Sequence, residues 1–274
     1  MAEVCLSGHE LIAEVDAAQP SNGSVDYWWM GQHSVLLKLN GRVVYIDPYL
    51  EPSPARQTPP LVTPEQIRHA ELVLCTHDHL DHIDPFAVSG IAKASPQAHF
   101  VAPAPHRDRM LSLGVANDRL TTLWPDQVVE LGGIRITAIK AKHEFFDEGP
   151  TGFPFLGYVL EHGGLAIYHA GDTLVWQGLP QRLGAWDLDL AFLPINGRDA
   201  ARYRVGCLGN MTFQEAVDLA GETGIRLSVP THWDMFAMNS EDPTKYEDYL
   251  SAKFPESRCR IPRAGEKVSA SCQK

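Results

Sequence analysis

Six consecutive residues, His77-Asp78-His79-Leu80-Asp81-His82, place three histidines and two aspartates side by side. Imidazole suits borderline divalent cations and carboxylate suits harder ones, so the run reads as part of a metal site. In an extended segment His77 and His79, two residues apart, point the same way and can grip one ion. Asp81 and His82 then reach a second position nearby. One loop cannot complete two sites, because each metal takes about three or four protein ligands plus open positions for water. Further ligands are expected at the ends of other strands. The sequence offers His143 after a strand at 134–139, Asp172 in Gly171-Asp172-Thr173 after one at 165–168, and His232 in Thr231-His232-Trp233 after one at 227–229. Asp172 has an acceptor on each oxygen and can bridge two cations.

The elements that must position these residues follow from the same reading. The histidine run comes directly after the apolar stretch Leu72-Val73-Leu74, so it lies in the loop at a strand's C-terminal end. Asn40-Gly41, between the apolar runs 35–39 and 42–46, predicts a hairpin. Additional strands are expected at 99–101, 156–160 and 188–193. Helix starts are signalled by Thr63-Pro64-Glu65-Gln66, by Asp84-Pro85, by the capping box Thr212-Phe213-Gln214-Glu215 and by Pro243. Residues 1–26 show weak periodicity and read as an N-terminal arm. No linker, repeat or low-complexity segment divides the chain, so residues 1–274 read as one α/β domain with helices outside the sheets.

Composition narrows the partners. Hydrophobic residues make up 44% of the 274-residue chain and charged residues 21%, as in a soluble globular protein. A net charge of −11 repels phosphate backbones and argues against nucleic acid. It permits a small anionic substrate, because a metal site supplies its own positive field. The five cysteines are scattered, with no CxxC pair, which fits a reducing compartment. Cys75 lies in an apolar run and reads as a buried hydrophobe. Neither a signal peptide nor a membrane-length apolar run is evident, so the expectation is a cytoplasmic protein with no membrane partner. A homo-oligomer is compatible with the sequence.

The run His77-x-His79-x-Asp81-His82, followed in order by His143, Gly171-Asp172-Thr173 and His232, resembles the motif set of the metallo-β-lactamase superfamily. The resemblance extends from about Trp28 to Trp233. It implies a four-layer αβ/βα sandwich with the metal site at one edge of the two sheets. It also implies that His77, His79 and His143 hold one metal, that Asp81, His82 and His232 hold the other, and that Asp172 bridges them. The ligand types admit Mn2+ or Zn2+, with iron as a third choice. A narrower likeness is carried by Trp28-Trp29-Met30-Gly31, Thr76-His77-Asp78-His79, Asp81-His82-Ile83-Asp84, Tyr168-His169-Ala170-Gly171-Asp172 and Pro230-Thr231-His232-Trp233-Asp234. These stretches resemble the L-ascorbate-6-phosphate lactonase family, which opens sugar-acid lactones, typically with manganese. The chain departs from that family in a shorter 48–69 loop, in lacking an extended C-terminal region, and in Trp233 where a second histidine is expected.

The reaction expected is hydrolysis by a water activated between two metals, most directly the opening of a lactone of a sugar-derived acid, phosphorylated or not. Asp81 is placed to orient the nucleophile and carry a proton. His169, beside the Asp172 turn, is the second catalytic candidate, expected as a partner standing behind the ligands. A loop after the strand at 188–193 carries Arg198, Arg202 and Arg204. Arg198 and Arg204 are the candidates to fork onto a substrate carboxylate or phosphate, with Asn210 as a further contact. Asp47 is expected to shape the floor of the site without binding metal, His33 to be a structural turn histidine, and Trp28 and Trp29 to be core. Three other readings fit the ligand set less directly: a phosphodiesterase on a small or lipid phosphodiester, a di-iron redox protein, and a non-catalytic metal-bound module.

Overall fold

The computed structural model describes residues 3–143, 148 and 152–272. The first half contains α1 (Gly8–Ala17), β1 (Ser24–Trp29), β2 (Val35–Leu39), β3 (Arg42–Ile46), β4 (Leu72–Leu74), α2 (Pro85–Ala94), β5 (His99–Pro103), α3 (Arg107–Ser112) and β6 (Leu120–Leu123). The second half contains β7 (Val128–Leu131), β8 (Ile134–Lys140), β9 (Leu156–His162), β10 (Leu165–His169), α4 (Leu179–Leu183), β11 (Leu190–Pro194), α5 (Ala200–Arg204), α6 (Phe213–Glu222), β12 (Leu227–Thr231), α7 (Thr244–Lys253), β13 (Arg258–Cys259) and β14 (Lys267–Ser271).

The strands form two seven-stranded sheets, ordered β14-β1-β2-β3-β4-β5-β6 and β13-β12-β11-β10-β9-β8-β7. In the first sheet β14, β1, β2 and β3 pair antiparallel, and β3 to β6 pair parallel. The second sheet repeats this division, antiparallel from β7 to β10 and parallel from β10 to β13. The alternation of side chains along a strand separates two cores. Leu190 and Phe192 of β11 join Tyr27, Leu36 and Leu37 between the sheets. Ala191 and Leu193 face the other way, against Leu179 of α4, Val217 of α6 and Leu250 of α7. This is the α/β sandwich expected, with helices outside the sheets.

Local chemistry explains the individual elements. Asn40 and Gly41 both adopt positive φ, 52° and 68°, and the hairpin closes with Leu39 opposite Arg42. Asp84 caps α2 through Phe86 N–H at 2.8 Å, and its other oxygen accepts from Leu50 and Glu51 N–H. Thr212 and Glu215 complete the capping box of α6.

Three expectations need correction. The N-terminal arm contains the ten-residue helix α1, docked by only two buried residues, Leu11 and Val15. Glu14 of this helix accepts from the Trp28 indole at 2.8 Å. The helix expected from Thr63 is a single 3-10 turn, Pro64–Gln66. Its proline packs on Gly90 of α2, where a Cβ would lie 2.3 Å from the ring, so the turn ends as a packing contact. The arginine-bearing segment is not all loop, because Asp199 caps the short helix α5 through Ala201 and Arg202 N–H. No helix among the described residues is long and apolar enough to cross a membrane.

Candidate metal centre

Strand ends bring the distant ligands to one edge. The loop after β4 supplies His77, His79, Asp81 and His82; the end of β8 leads to His143, that of β10 to Asp172, and that of β12 to His232. The structure gathers their ligand atoms into two groups, each within 4.8 Å: His77, His79, His143 and Asp172 in one, and Asp81, His82 and His232 in the other. Asp172 stands between them. Its Oδ2 lies 3.2 Å from His232 Nε2 and 3.7 Å from His143 Nε2, and its Oδ1 lies 3.4 Å from His82 Nε2. All seven residues singled out as metal ligands meet here.

Partners behind the ligands fix which nitrogen His77, His82 and His143 present. His82 Nδ1 donates to Asp47 Oδ2 at 2.7 Å, leaving Nε2 toward Asp172. The same carboxylate accepts from Thr76 Oγ1 at 2.6 Å and, through Oδ1, from Thr76 N–H at 2.7 Å. His77 Nδ1 sits 3.0 Å from Thr76 Oγ1, and His143 Nδ1 donates to the Gly209 carbonyl at 3.1 Å. Asp47 therefore fills the supporting place expected of it. His33 joins Gly171 O at 3.0 Å to Thr231 Oγ1 at 2.8 Å, tying the Asp172 turn to the His232 turn.

His169 stands behind the ligands, the place expected of it. It is fully buried, bonds to the His33 carbonyl at 2.9 Å and accepts from Gly171 N–H. Its ring lies against His33, with centroids 4.0 Å apart. It is thus a positioning residue below the ligands and has no route to a reacting atom.

Gln32 was not singled out by sequence. Its amide Nε2 donates to Asp81 Oδ2 at 2.7 Å and lies 3.1 Å from His232 Nε2. Its backbone is held by Asp234, which accepts Gln32 N–H at 2.9 Å, and by the Trp29 indole and His232 N–H, which both donate to its carbonyl. Gln32, Asp47 and His232 all adopt positive φ, at 53°, 46° and 60°. Three non-glycine residues in that region at one site mark backbone strain sustained by the surrounding bonds. We expect Gln32→Ala to weaken metal binding about 10–100-fold, the usual loss for an outer partner. Calorimetric titration of stripped protein tests this, and unchanged affinity would remove Gln32 from the site's support.

Gly171 is required by space as well as by its φ of 60°. A Cβ there would lie 2.5 Å from the Leu156 carbonyl and 3.0 Å from Thr76 Cβ. Gly171→Ala should cost more than about 1 kcal/mol. A urea midpoint equal to that of the parent would contradict this close approach.

The electrostatics favour bound cations. Burial, reinforced by His82, drives the His77 imidazole well below its usual range, and burial takes His143 down to about 4. For Asp172 burial acts upward, but His232 and His82 outweigh it and hold the carboxyl well below its usual range. Burial would lower His82, yet the Asp172, Asp81 and Asp47 carboxylates together push it up to about 10. Among the described residues, those three carboxylates make ion pairs only with histidines. His82 Nε2 and Asp172 Oδ1 are buried, face one another and have no hydrogen-bond partner. His77 Nε2 and His79 Nδ1 approach within 3.0 Å, although His77 already has its other nitrogen on Thr76. Converging imidazole nitrogens, an orphaned buried oxygen of Asp172 and three carboxylates with no Lys or Arg partner are features a pair of cations would satisfy, so the donor set fits divalent metals.

The chain is similar in sequence and fold to known proteins. Residues 42–233 match the family described as the Beta-lactamase superfamily domain. The chain belongs to the metallo-β-lactamase superfamily. It falls among that superfamily's metal-dependent hydrolases. A UPF0173 protein of Pyrococcus furiosus is 28% identical over 82% of this chain and 90% of its own length. A UPF0173 metal-dependent hydrolase of Rubrobacter xylanophilus is 28% identical over 84% of this chain and 90% of its own. Among solved structures, Igni18, a metallo hydrolase from Ignicoccus hospitalis, superposes with a TM-score of 0.73 at 22% identity, covering 91% of this chain and all of Igni18.

On a metallo-β-lactamase scaffold the loops over the metals choose the molecule. Here they enclose a cleft of about 300 Å³, floored by His79, Asp81, His143, Asp172 and His232 and walled by residues 206–208 with Phe236, Met238 and Asn239. The expected substrate contacts lie elsewhere. Arg198 forks onto Glu215 of α6 with two bonds of 2.6 Å and also donates to the Asn210 carbonyl. Arg204, at the end of α5, is exposed and does not line the cleft. Asn210 is buried behind the wall, donating to Asn196 Oδ1 at 3.0 Å. The working arginine of the segment is Arg202, whose guanidinium binds the carbonyls of Asn196, Met238 and Ser240. It joins the two halves of the wall. Trp233, where a second histidine was expected, stacks on Trp29 at 5.0 Å.

Proposed function

We propose that the protein binds two divalent cations, manganese or zinc, and hydrolyses a small carboxyl ester, a lactone first of all. The observation that carries this reading is the pair of ligand groups sharing Asp172 at the floor of a cleft. Bound there, the two cations would supply a water acidic enough to ionise near neutral pH and positive charge for the oxyanion that develops. His77, His79 and His143 would hold one, Asp81, His82 and His232 the other, and Asp172 both.

The chain's own groups do the remaining work. Asp81 lines the cleft with one oxygen fixed by Gln32, so it is placed to orient the attacking water and receive its proton. Asp47 and Thr76 keep His82 and His77 in the tautomer that binds through Nε2. The walls at 206–208 and 236–239 limit the cleft to a small molecule. Arg198 and Arg204, the contacts expected for a substrate carboxylate or phosphate, do not line the cleft. A neutral ring suits the wall better.

Acid release from a lactone panel, with manganese- or zinc-loaded protein, tests the proposal. Metal-dependent opening with kcat/KM above about 10⁴ M⁻¹s⁻¹ is the expected result. Turnover of bis(p-nitrophenyl) phosphate far above that of every lactone would overturn it in favour of phosphodiester hydrolysis.

A further inference from the structure

The chemistry of the cleft wall points to one part of the substrate beyond its reacting bond. Leu208, Phe236 and Met238 face the cleft opposite the ligands, with Cys207 beside them. Met238 is 54% exposed, an uncommon position for an unbranched apolar side chain. Leu80, 67% exposed, stands between the cleft residues His79 and Asp81, and Val205, also 67% exposed, precedes the cleft residue Gly206.

Several polar groups of the same loops bond to one another. Asn196 donates to Asn239 Oδ1 at 2.9 Å and accepts from Asn210, while Arg202 holds the carbonyls of Met238 and Ser240. Arg202 O also accepts Cys207 N–H at 3.0 Å, so one residue fixes both flanks. A wall whose polar atoms are bound to each other and whose apolar side chains are left toward the cleft recognises hydrocarbon.

We propose that the substrate carries an aliphatic chain, and that this chain lies against Leu208, Phe236 and Met238 while the ester carbonyl sits over Asp172. The idea deepens the esterase reading and rests on it for the position of the carbonyl, but its test does not depend on turnover. Hydroxamic acids bind metal pairs through their head group, so a straight-chain series from acetohydroxamate to octanohydroxamate serves as the probe. Calorimetry on metal-loaded protein should show affinity rising about fourfold per methylene over the first several carbons, the gain for burying a methylene group. In Leu208→Ala/Met238→Ala protein with unchanged metal content, the rise should flatten. A flat or falling series in the wild-type protein would overturn the proposal, as would tighter binding of chains that end in a carboxylate. Chain-dependent hydroxamate binding without any lactone turnover would uphold the apolar subsite and count against the lactonase reading alone.

Discussion

Asp172→Ala is expected to release both cations together and to abolish hydrolysis. Other ligands belong to one group or the other, whereas Asp172 approaches His143 and His77 on one side and His82 and His232 on the other. Its removal also leaves His82 Nε2 buried with no acidic neighbour but Asp81, at 3.6 Å. The fall in affinity should exceed the roughly 10–100-fold typical of an outer partner, since a shared ligand is lost outright. His143→Ala is the informative comparison, because it touches only the first group. Metal analysis after dialysis distinguishes them. Equal retention of metal by Asp172→Ala and wild-type protein would remove Asp172 from its bridging place.

The second large effect is expected at a residue that need not touch metal. Asp47 is fully buried and accepts three bonds, from Thr76 N–H, Thr76 Oγ1 and His82 Nδ1. Asp47→Ala leaves those donors buried without a partner, and breaking one side of a buried charged pair costs about 3–5 kcal/mol. It also frees His82 to rotate, so metal affinity should fall about 10–100-fold. Urea unfolding of the stripped protein measures the first effect and calorimetric metal titration the second. A variant as stable as the parent and as tight for metal would show that the Asp47 carboxylate supports neither the loop nor the ligand.

The ligand positions were legible in sequence because chemistry and chain geometry agree there. His77, His79, Asp81 and His82 are crowded into one loop, and His143, Asp172 and His232 each follow an apolar strand. The Asn40-Gly41 hairpin was legible for a similar reason, since the turn depends on its own two residues. Helix α1 was not, because a stripe of two buried residues, Leu11 and Val15, is too thin to show as a period. Strand β14 alternates between exposed and half-buried positions and owes its place to pairing with β1, more than two hundred residues away in the chain. Gln32 was invisible because its partners Asp81 and His232 lie 49 and 200 positions distant. The arginines misled for the opposite reason. Arg198, Arg202 and Arg204 look equivalent in a row, and only tertiary contacts assign one to Glu215, one to the wall and one to solvent.

The edge of the sandwich therefore divides into two parts. The ligand floor is built from residues that adjoin strand ends and are braced by Asp47, Thr76, His33 and Gln32. The wall is built from the ends of loops, where Arg202 ties residues 206–208 to 236–240 and apolar side chains are left toward the cleft. Changes in the floor should alter metal content and rate together. Changes in the wall should alter the preference among substrates while metal content stays constant.

The most direct test of the central claim is calorimetric titration of stripped protein with manganese and with zinc, read together with the rate of lactone opening at each stoichiometry. The two ligand groups joined through Asp172 predict binding of two ions per chain and activity that reaches its full value only when the second is bound. Saturation at one ion, with full activity, would contradict the paired site.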